Sequence, residues 1–167
     1  QLTQLPNRPS LLDGLGRYMR FARSQGGQVA VLLINLDRFQ RINDTIGHAL
    51  GDTVLKLTAE RLCATIDKDD LLARVGSDEF ALVAVRPAQV PLDTWLDDTV
   101  ARLQAAIAMG HEHMDTALSI TACMGVALFD GQTAGDDGPS DLLGYANIAL
   151  HGAKRDGVGQ VRRYQPG

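Results

Sequence analysis

The sequence has little of what several classes of protein require. Only two of its 167 residues are cysteines, which excludes a disulfide-stabilised secreted scaffold. Its apolar runs are short, and residues 29–34 fall far below the about 20 residues of a membrane-spanning helix. Lys and Arg number 16 against 20 Asp and Glu, giving a net charge of −4. We therefore expect neither nucleic-acid binding through a basic surface nor membrane contact by this domain, whereas one site for a small phosphorylated ligand is compatible with the charge.

The composition is otherwise that of an ordinary globular domain. Hydrophobic residues make up 45% and charged residues 22%, and the length corresponds to one domain. We expect residues 1–167 to form a single domain that belongs to a longer protein. Cys63 and Cys123 lie in apolar contexts without metal-ligand spacing, so we expect two small buried side chains in a reducing, cytoplasmic compartment.

Hydrophobic periodicity predicts alternating helices and strands along the whole chain. The predicted helices cover residues 9–24, 37–46, 51–66 and 92–107, and a last helix is capped by Ser140 or Asp141. The predicted strands cover residues 29–36, 71–75, 80–85, 116–129 and 161–164. This order predicts an α/β (α+β) fold with a mixed sheet on a βαββαβ core and helices packed on it.

Polar residues cluster at two places in this pattern. Asn35-Leu36-Asp37 ends a buried strand, and Asp78-Glu79 lies in the turn of a hairpin where Gly76 is expected to supply the turn geometry. Oxygen ligands converging there would suit Mg²⁺, although an acidic turn is also common as a plain solvated turn. Asp37 is expected to cap the following helix.

Five stretches resemble, in order, the motifs of the GGDEF or diguanylate cyclase family. The hairpin Gly76-Ser77-Asp78-Glu79-Phe80 is similar to the motif that names the family, with Ser77 in place of its second glycine. The five stretches are residues 2–8, 35–44, 47–52, 74–80 and 146–154. Such an ordered set is far more specific than a lone short match. The resemblance implies a fold related to the adenylyl cyclase catalytic core, two facing domains that each hold one GTP, and cyclic di-GMP as the product.

The resemblance also implies a role for particular residues. Asn43 and Asp52 would bind the guanine edge. A Mg²⁺ or Mn²⁺ ion would be held by Asp78, the residue at position Asn35 and the carbonyl of Leu36. The remaining implied residues are those that bind phosphate (Phe39, Gln40 and Lys154) and those of the catalytic hairpin (Gly76, Ser77, Asp78 and Glu79).

The sequence departs from the family pattern at charged positions. Asn35 replaces a metal-binding aspartate, so the metal would be held weakly. Gln40 and Val158 stand where the family has a lysine and an arginine beside the phosphates, and Ser77 adds bulk at the hairpin. Weaker counter-charge predicts weaker nucleotide binding and slower chemistry.

The inhibitory product site of the family is also altered. Its arginine is Asp67 here, while its aspartate is retained as Asp70. Because an aspartate repels phosphate, we expect no product inhibition through this site.

Three functions remain open from the sequence. The chain is a degenerate domain that binds GTP and regulates an attached domain such as an EAL phosphodiesterase, an active diguanylate cyclase that works as a homodimer, or a dimerisation scaffold that binds no nucleotide. In the last case Asn43 and Asp52 are turn or capping residues, and Lys154 only complements a helix dipole.

Overall fold

A computed structural model describes residues 5–109, 120–132 and 135–165 of the chain. Residues 2–4 of the first motif and residues 116–119 of a predicted strand lie outside this part. The elements in chain order are α1 (Arg8–Gln25), β1 (Gln28–Leu36), α2 (Phe39–Ile46), α3 (His48–Thr65), β2 (Leu71–Gly76), β3 (Glu79–Arg86), α4 (Leu92–Met109), β4 (Ala122–Asp130), α5 (Pro139–Asp156) and β5 (Val161–Arg163).

The five strands form one mixed sheet in the order β2-β3-β1-β4-β5. The central strand β1 runs antiparallel to both neighbours, β3 and β4, and β5 joins the edge parallel to β4. This confirms the mixed five-stranded sheet and the βαββαβ order of its core.

The helices cover both faces of the sheet, so β1 is buried on both sides, as its continuous apolar run predicts. Alternate residues of β1 enter two separate cores. Ala30, Leu32 and Ile34 pack with residues of α3 and α4. Val29 and Leu33 pack with residues of α1 and α5 on the opposite face.

Several details differ from the sequence prediction. Helix α3 begins at His48 instead of residue 51, directly after Gly47, whose φ of 90° ends α2. The cap residue of α5 is Gly138, and Asp141 caps from inside the first turn by accepting the Gly138 N–H at 2.9 Å. Cys123 is buried as expected, but Cys63 is exposed because it lies on the outer side of α3. In the described part of the chain, no helix is long and apolar enough to cross a membrane.

Helix α5 reaches the end of β1 because it packs closely across β4 at Gly125. A Cβ atom at Gly125 of β4 would lie 2.2 Å from the carbonyl oxygen of Ala146 and 2.3 Å from the backbone nitrogen of Leu150. Only glycine permits this close approach. The crossing fixes the last turn of α5, which carries Lys154, beside the polar end of the central strand.

Candidate functional site

The polar clusters named from the sequence meet at one end of the sheet. Asn35 of β1 pairs in register with Glu79 of β3. The backbone N–H of Leu36 donates to the carbonyl oxygen of Asp78 at 3.0 Å. The end of β1 and the hairpin tip are therefore one hydrogen-bonded unit, as the sequence predicts for these stretches.

A chain of side-chain hydrogen bonds links the hairpin to α5 across this end. Nδ2 of Asn35 donates to Oδ1 of Asp78 at 3.3 Å. Oδ1 of the same amide accepts a hydrogen bond from the Nζ of Lys154. An aspartate at position 35 could not donate to Asp78, so the substitution joins a carboxylate and an ammonium ion through a neutral amide.

Glu79 lies half-buried beside this chain. Burial raises the pKa of its carboxyl above the usual range, and the negative charge of Asp78 acts in the same direction. The positive charges of Arg8, Lys154 and His151 oppose the rise without cancelling it. Sequence reasoning did not identify Arg8 or His151 as neighbours of the site.

Two of the oxygens matched to a divalent cation already accept hydrogen bonds in this arrangement. Oδ1 of Asn35, the oxygen that replaces a carboxylate ligand, already accepts from Lys154. One oxygen of Asp78 accepts from the Asn35 amide. Among the described residues, no group of three or more His, Cys, Asp or Glu side chains is placed to hold a metal ion.

The start of α2 presents backbone N–H groups without a side-chain cap next to this cluster. Its cap residue is Arg38, whose backbone is left-handed with φ 56°, and no side chain caps the helix. The first N–H groups of an uncapped helix, here those of Phe39 and Gln40, attract anions. Phe39 itself is buried, and the exposed side chain of Gln40 donates to Asp44 at 3.3 Å.

A cavity of about 330 Å³ opens between α2 and the end of α5. Arg38 and Lys154 bring two positive charges to it, and its other lining residues are Asp37, Gly157 and Val158. The guanidinium of Arg38 was missed from the sequence. The only available signal was its place in the first turn of a predicted helix.

Asp37 positions the wall of this cavity and does not cap α2, contrary to the sequence prediction. Its Oδ2 accepts from Oγ1 of Thr121 at 2.6 Å and from the backbone N–H of Gly159 at 2.7 Å. These bonds tie the loop after α5, which includes Val158, to the end of β1. Both bonds fall on Oδ2, and no side chain in the described part of the protein caps the start of α2.

The two residues matched to the guanine edge lie on neighbouring helices. Oδ1 of Asn43 is buried and has no hydrogen-bond partner in the described structure. Asn43 packs directly over Gly51, where a Cβ atom would lie 1.6 Å from that oxygen. Asp52, the next residue on α3, is exposed. This part of the two helices therefore holds a buried amide oxygen without a hydrogen-bond partner in the described structure and an exposed carboxylate.

The hairpin turn differs from the sequence prediction in one respect. Gly76 is not among the glycines with positive φ, so the turn does not depend on glycine geometry there. A Cβ atom at Gly76 would instead meet the Cβ of Glu79 at 3.3 Å. Arg74 braces the turn by donating to the carbonyl oxygens of Gly76 and Ser77 at 3.1 and 2.7 Å. Ser77 itself is exposed.

Both aspartates of the altered inhibitory motif form ion pairs with an arginine of the same chain. Arg86 of β3 donates to Oδ2 of Asp67 at 2.6 Å and to Oδ1 of Asp70 at 2.8 Å. The Arg86 guanidinium also lies 4.8 Å from the ring centre of Trp95. Both aspartates are therefore engaged by the protein itself.

Comparisons with known proteins agree on one family. The family described as "Diguanylate cyclase, GGDEF domain" matches residues 1–160. The diguanylate cyclase TpbB of Pseudomonas aeruginosa is 39% identical over 163 residues, which cover 96% of this chain and 36% of TpbB. The bifunctional diguanylate cyclase/cyclic di-GMP phosphodiesterase MucR of the same organism is 34% identical over 158 residues, which cover 93% of this chain and 22% of MucR.

The solved structures give the same result for the fold. The crystal structure of the GGDEF domain of TpbB superposes with a TM-score of 0.86 at 34% sequence identity and covers 99% of both chains. Fold, motif order and matches together define a domain of cyclic di-GMP signalling. The chain belongs to the GGDEF domain family, whose diguanylate cyclases generally use Mg²⁺.

Proposed function

We propose that this chain is a degenerate GGDEF domain that binds GTP and regulates an attached domain, with little or no synthesis of cyclic di-GMP. The observation that carries the proposal is the contrast between the two ends of the site. The guanine end retains Asn43, with an unpartnered buried oxygen, and Asp52. The reaction end has lost a carboxylate at Asn35 and has turned the replacement amide toward Lys154.

The loss of charge at the reaction end is why we propose that GTP binding is retained while synthesis is not. Binding of a purine needs donors and acceptors at fixed positions, which Asn43 and Asp52 can supply. Phosphodiester formation needs stabilisation of charge that develops on the phosphorus oxygens, and loss of one preorganised group costs about 10²–10³ in rate. Any Mg²⁺ or Mn²⁺ would have to displace the Lys154 ammonium from Asn35, so we propose that the metal is held weakly.

The regulated partner in this proposal is a domain on the same polypeptide. The chain matches only 22% of MucR, whose name includes a cyclic di-GMP phosphodiesterase. The solved EAL/GGDEF domain protein from M. capsulatus is another relative whose description pairs the two domains. An EAL phosphodiesterase is therefore the attached domain that we propose, and residues 1–167 would form its single regulatory GGDEF-like unit.

We also propose that cyclic di-GMP does not bind at the altered inhibitory motif. Arg86 supplies the positive charge there, but it already forms ion pairs with Asp67 and Asp70. A phosphate would have to compete with two carboxylates for one guanidinium.

Active synthesis is the second candidate, and a specific observation favours it. Asp78 and Glu79 are both retained at the hairpin, and TpbB, a relative at 39% identity, is named a diguanylate cyclase. In that case the two GTP molecules would be brought together by a homodimer.

Calorimetric titration of the chain with GTP tests the binding that both candidates need. We expect binding in the micromolar range, weakened at least about tenfold by Asp52→Ala because a charged hydrogen bond is lost. The matched control is Glu60→Ala, which removes an exposed carboxylate from the same helix and should leave the affinity unchanged. Absence of GTP binding would refute the proposal and favour the dimerisation scaffold.

A further inference from the structure

The ammonium ion of Lys154 lies at the end of the sheet where the carboxylates of Asp78 and Glu79 need positive charge. It bonds to Oδ1 of Asn35, and the amide of Asn35 bonds in turn to Asp78. Asp78 and Glu79 bring two carboxylates to this end of the sheet, and a neutral residue 35 brings none. The Lys154 cation thus partly balances a site that carries one negative charge fewer than the family pattern.

A second positively charged side chain, that of Arg38, lies at the neighbouring cavity, where it could bind a phosphate group. Arg38 and Lys154 both line it, next to the uncapped start of α2. A left-handed backbone at a residue other than glycine is uncommon and costs free energy. Among the described residues, Arg38 is the one non-glycine residue with positive φ. Asp37 also lines the cavity, but its Oδ2 is bonded to Thr121 and Gly159.

We propose that this chain binds its nucleotide without a divalent cation, because the Lys154 ammonium replaces the metal charge and Arg38 with Lys154 neutralises the phosphates. This inference rests on the proposed GTP binding and specifies its charge requirement. It differs from the family's general use of Mg²⁺, and it follows from hydrogen bonds between residues that lie 119 positions apart in the chain.

Titration of the chain with GTP in EDTA and in Mg²⁺ tests the inference directly. We expect affinities within about twofold of each other in the two media. In EDTA, Lys154→Met and Arg38→Met should each weaken GTP binding by about tenfold to a hundredfold, the range for a hydrogen bond to a charged group. Lys68→Met, which removes an exposed lysine far from the cavity in sequence, should leave the affinity as it is.

A metal-binding measurement without nucleotide provides the second readout. The electron paramagnetic resonance signal of free Mn²⁺ should be unchanged by the wild-type chain and reduced by the Asn35→Asp/Lys154→Met double variant. Depletion of the signal by the wild-type chain, or no depletion by the double variant, would overturn the inference.

The outcomes separate this inference from the proposed function. GTP binding in Mg²⁺ that is lost in EDTA would overturn metal independence and leave the proposed function standing. No GTP binding in either medium would overturn the proposed function and this inference together.

Discussion

Replacing Gly51 with alanine is the sharpest perturbation of the proposed guanine site. A Cβ atom at position 51 would lie 1.6 Å from Oδ1 of Asn43. Because non-bonded atoms need roughly 3.5 Å, the amide must move by about 2 Å. A hydrogen bond of about 2.9 Å does not survive such a displacement, so Asn43 would lose the contact that we propose it makes with the base.

The size of the effect follows from the unpaired group that remains. A polar group left without its partner costs about 1–3 kcal/mol, which corresponds to about 5- to 150-fold in affinity for GTP. Helix α3 itself should persist, because alanine is a better helix former than glycine by up to about 1 kcal/mol. Calorimetric titration with GTP measures the affinity, and urea unfolding checks that the domain remains folded.

Gly144→Ala is the matched control for this variant. Gly144 also lies within a helix, α5, but a Cβ atom there would meet nothing within 4 Å. We expect unchanged GTP affinity and a stability that is equal or higher by about 0.5–1 kcal/mol. A folded Gly51→Ala variant that binds GTP as tightly as the parent would refute the role given to Asn43.

Three further predictions concern stability and the metal. Arg86→Met should lower the free energy of unfolding in urea by about 3 kcal/mol, because the side chain of Asp70 is only 3% exposed and would keep an unpaired charge; a loss below about 0.5 kcal/mol would contradict this. Gly125→Ala should destabilise the domain by about 3 kcal/mol or more in thermal unfolding, because the new Cβ atom meets the backbone of α5 at Ala146; an unchanged melting temperature would contradict the close crossing. Asn35→Asp should tighten GTP binding in Mn²⁺ relative to EDTA by at least about tenfold, because it restores a negative ligand. Equal affinities in the two media would show that position 35 does not face a metal.

Local signals in the sequence predict the fold because each element is specified by its own residues. The continuous apolar run of β1 predicts a strand buried on both faces, and Gly47 predicts the break between α2 and α3. The ends of the helices are specified less sharply by local residues, and α3 begins three residues before the predicted position. The exposure of Cys63 was missed because an apolar context does not reveal which side of a helix faces the core.

The charge network of the site could not be predicted, because it depends on contacts between distant elements. Lys154 reaches Asn35 only because α5 crosses β4 at Gly125. Asp37 stands beside a helix start and was interpreted as its cap, whereas its partners, Thr121 and Gly159, come from other parts of the chain. Tertiary hydrogen bonds override the local preference at such positions.

Product formation from GTP tests the central claim most directly. The chain would be incubated with saturating GTP and either Mg²⁺ or Mn²⁺, and the nucleotides separated by chromatography. We predict bound GTP with cyclic di-GMP formation at least about 10²–10³ slower than in a domain with the full family motif. Sustained turnover at the rate of such a domain would contradict it.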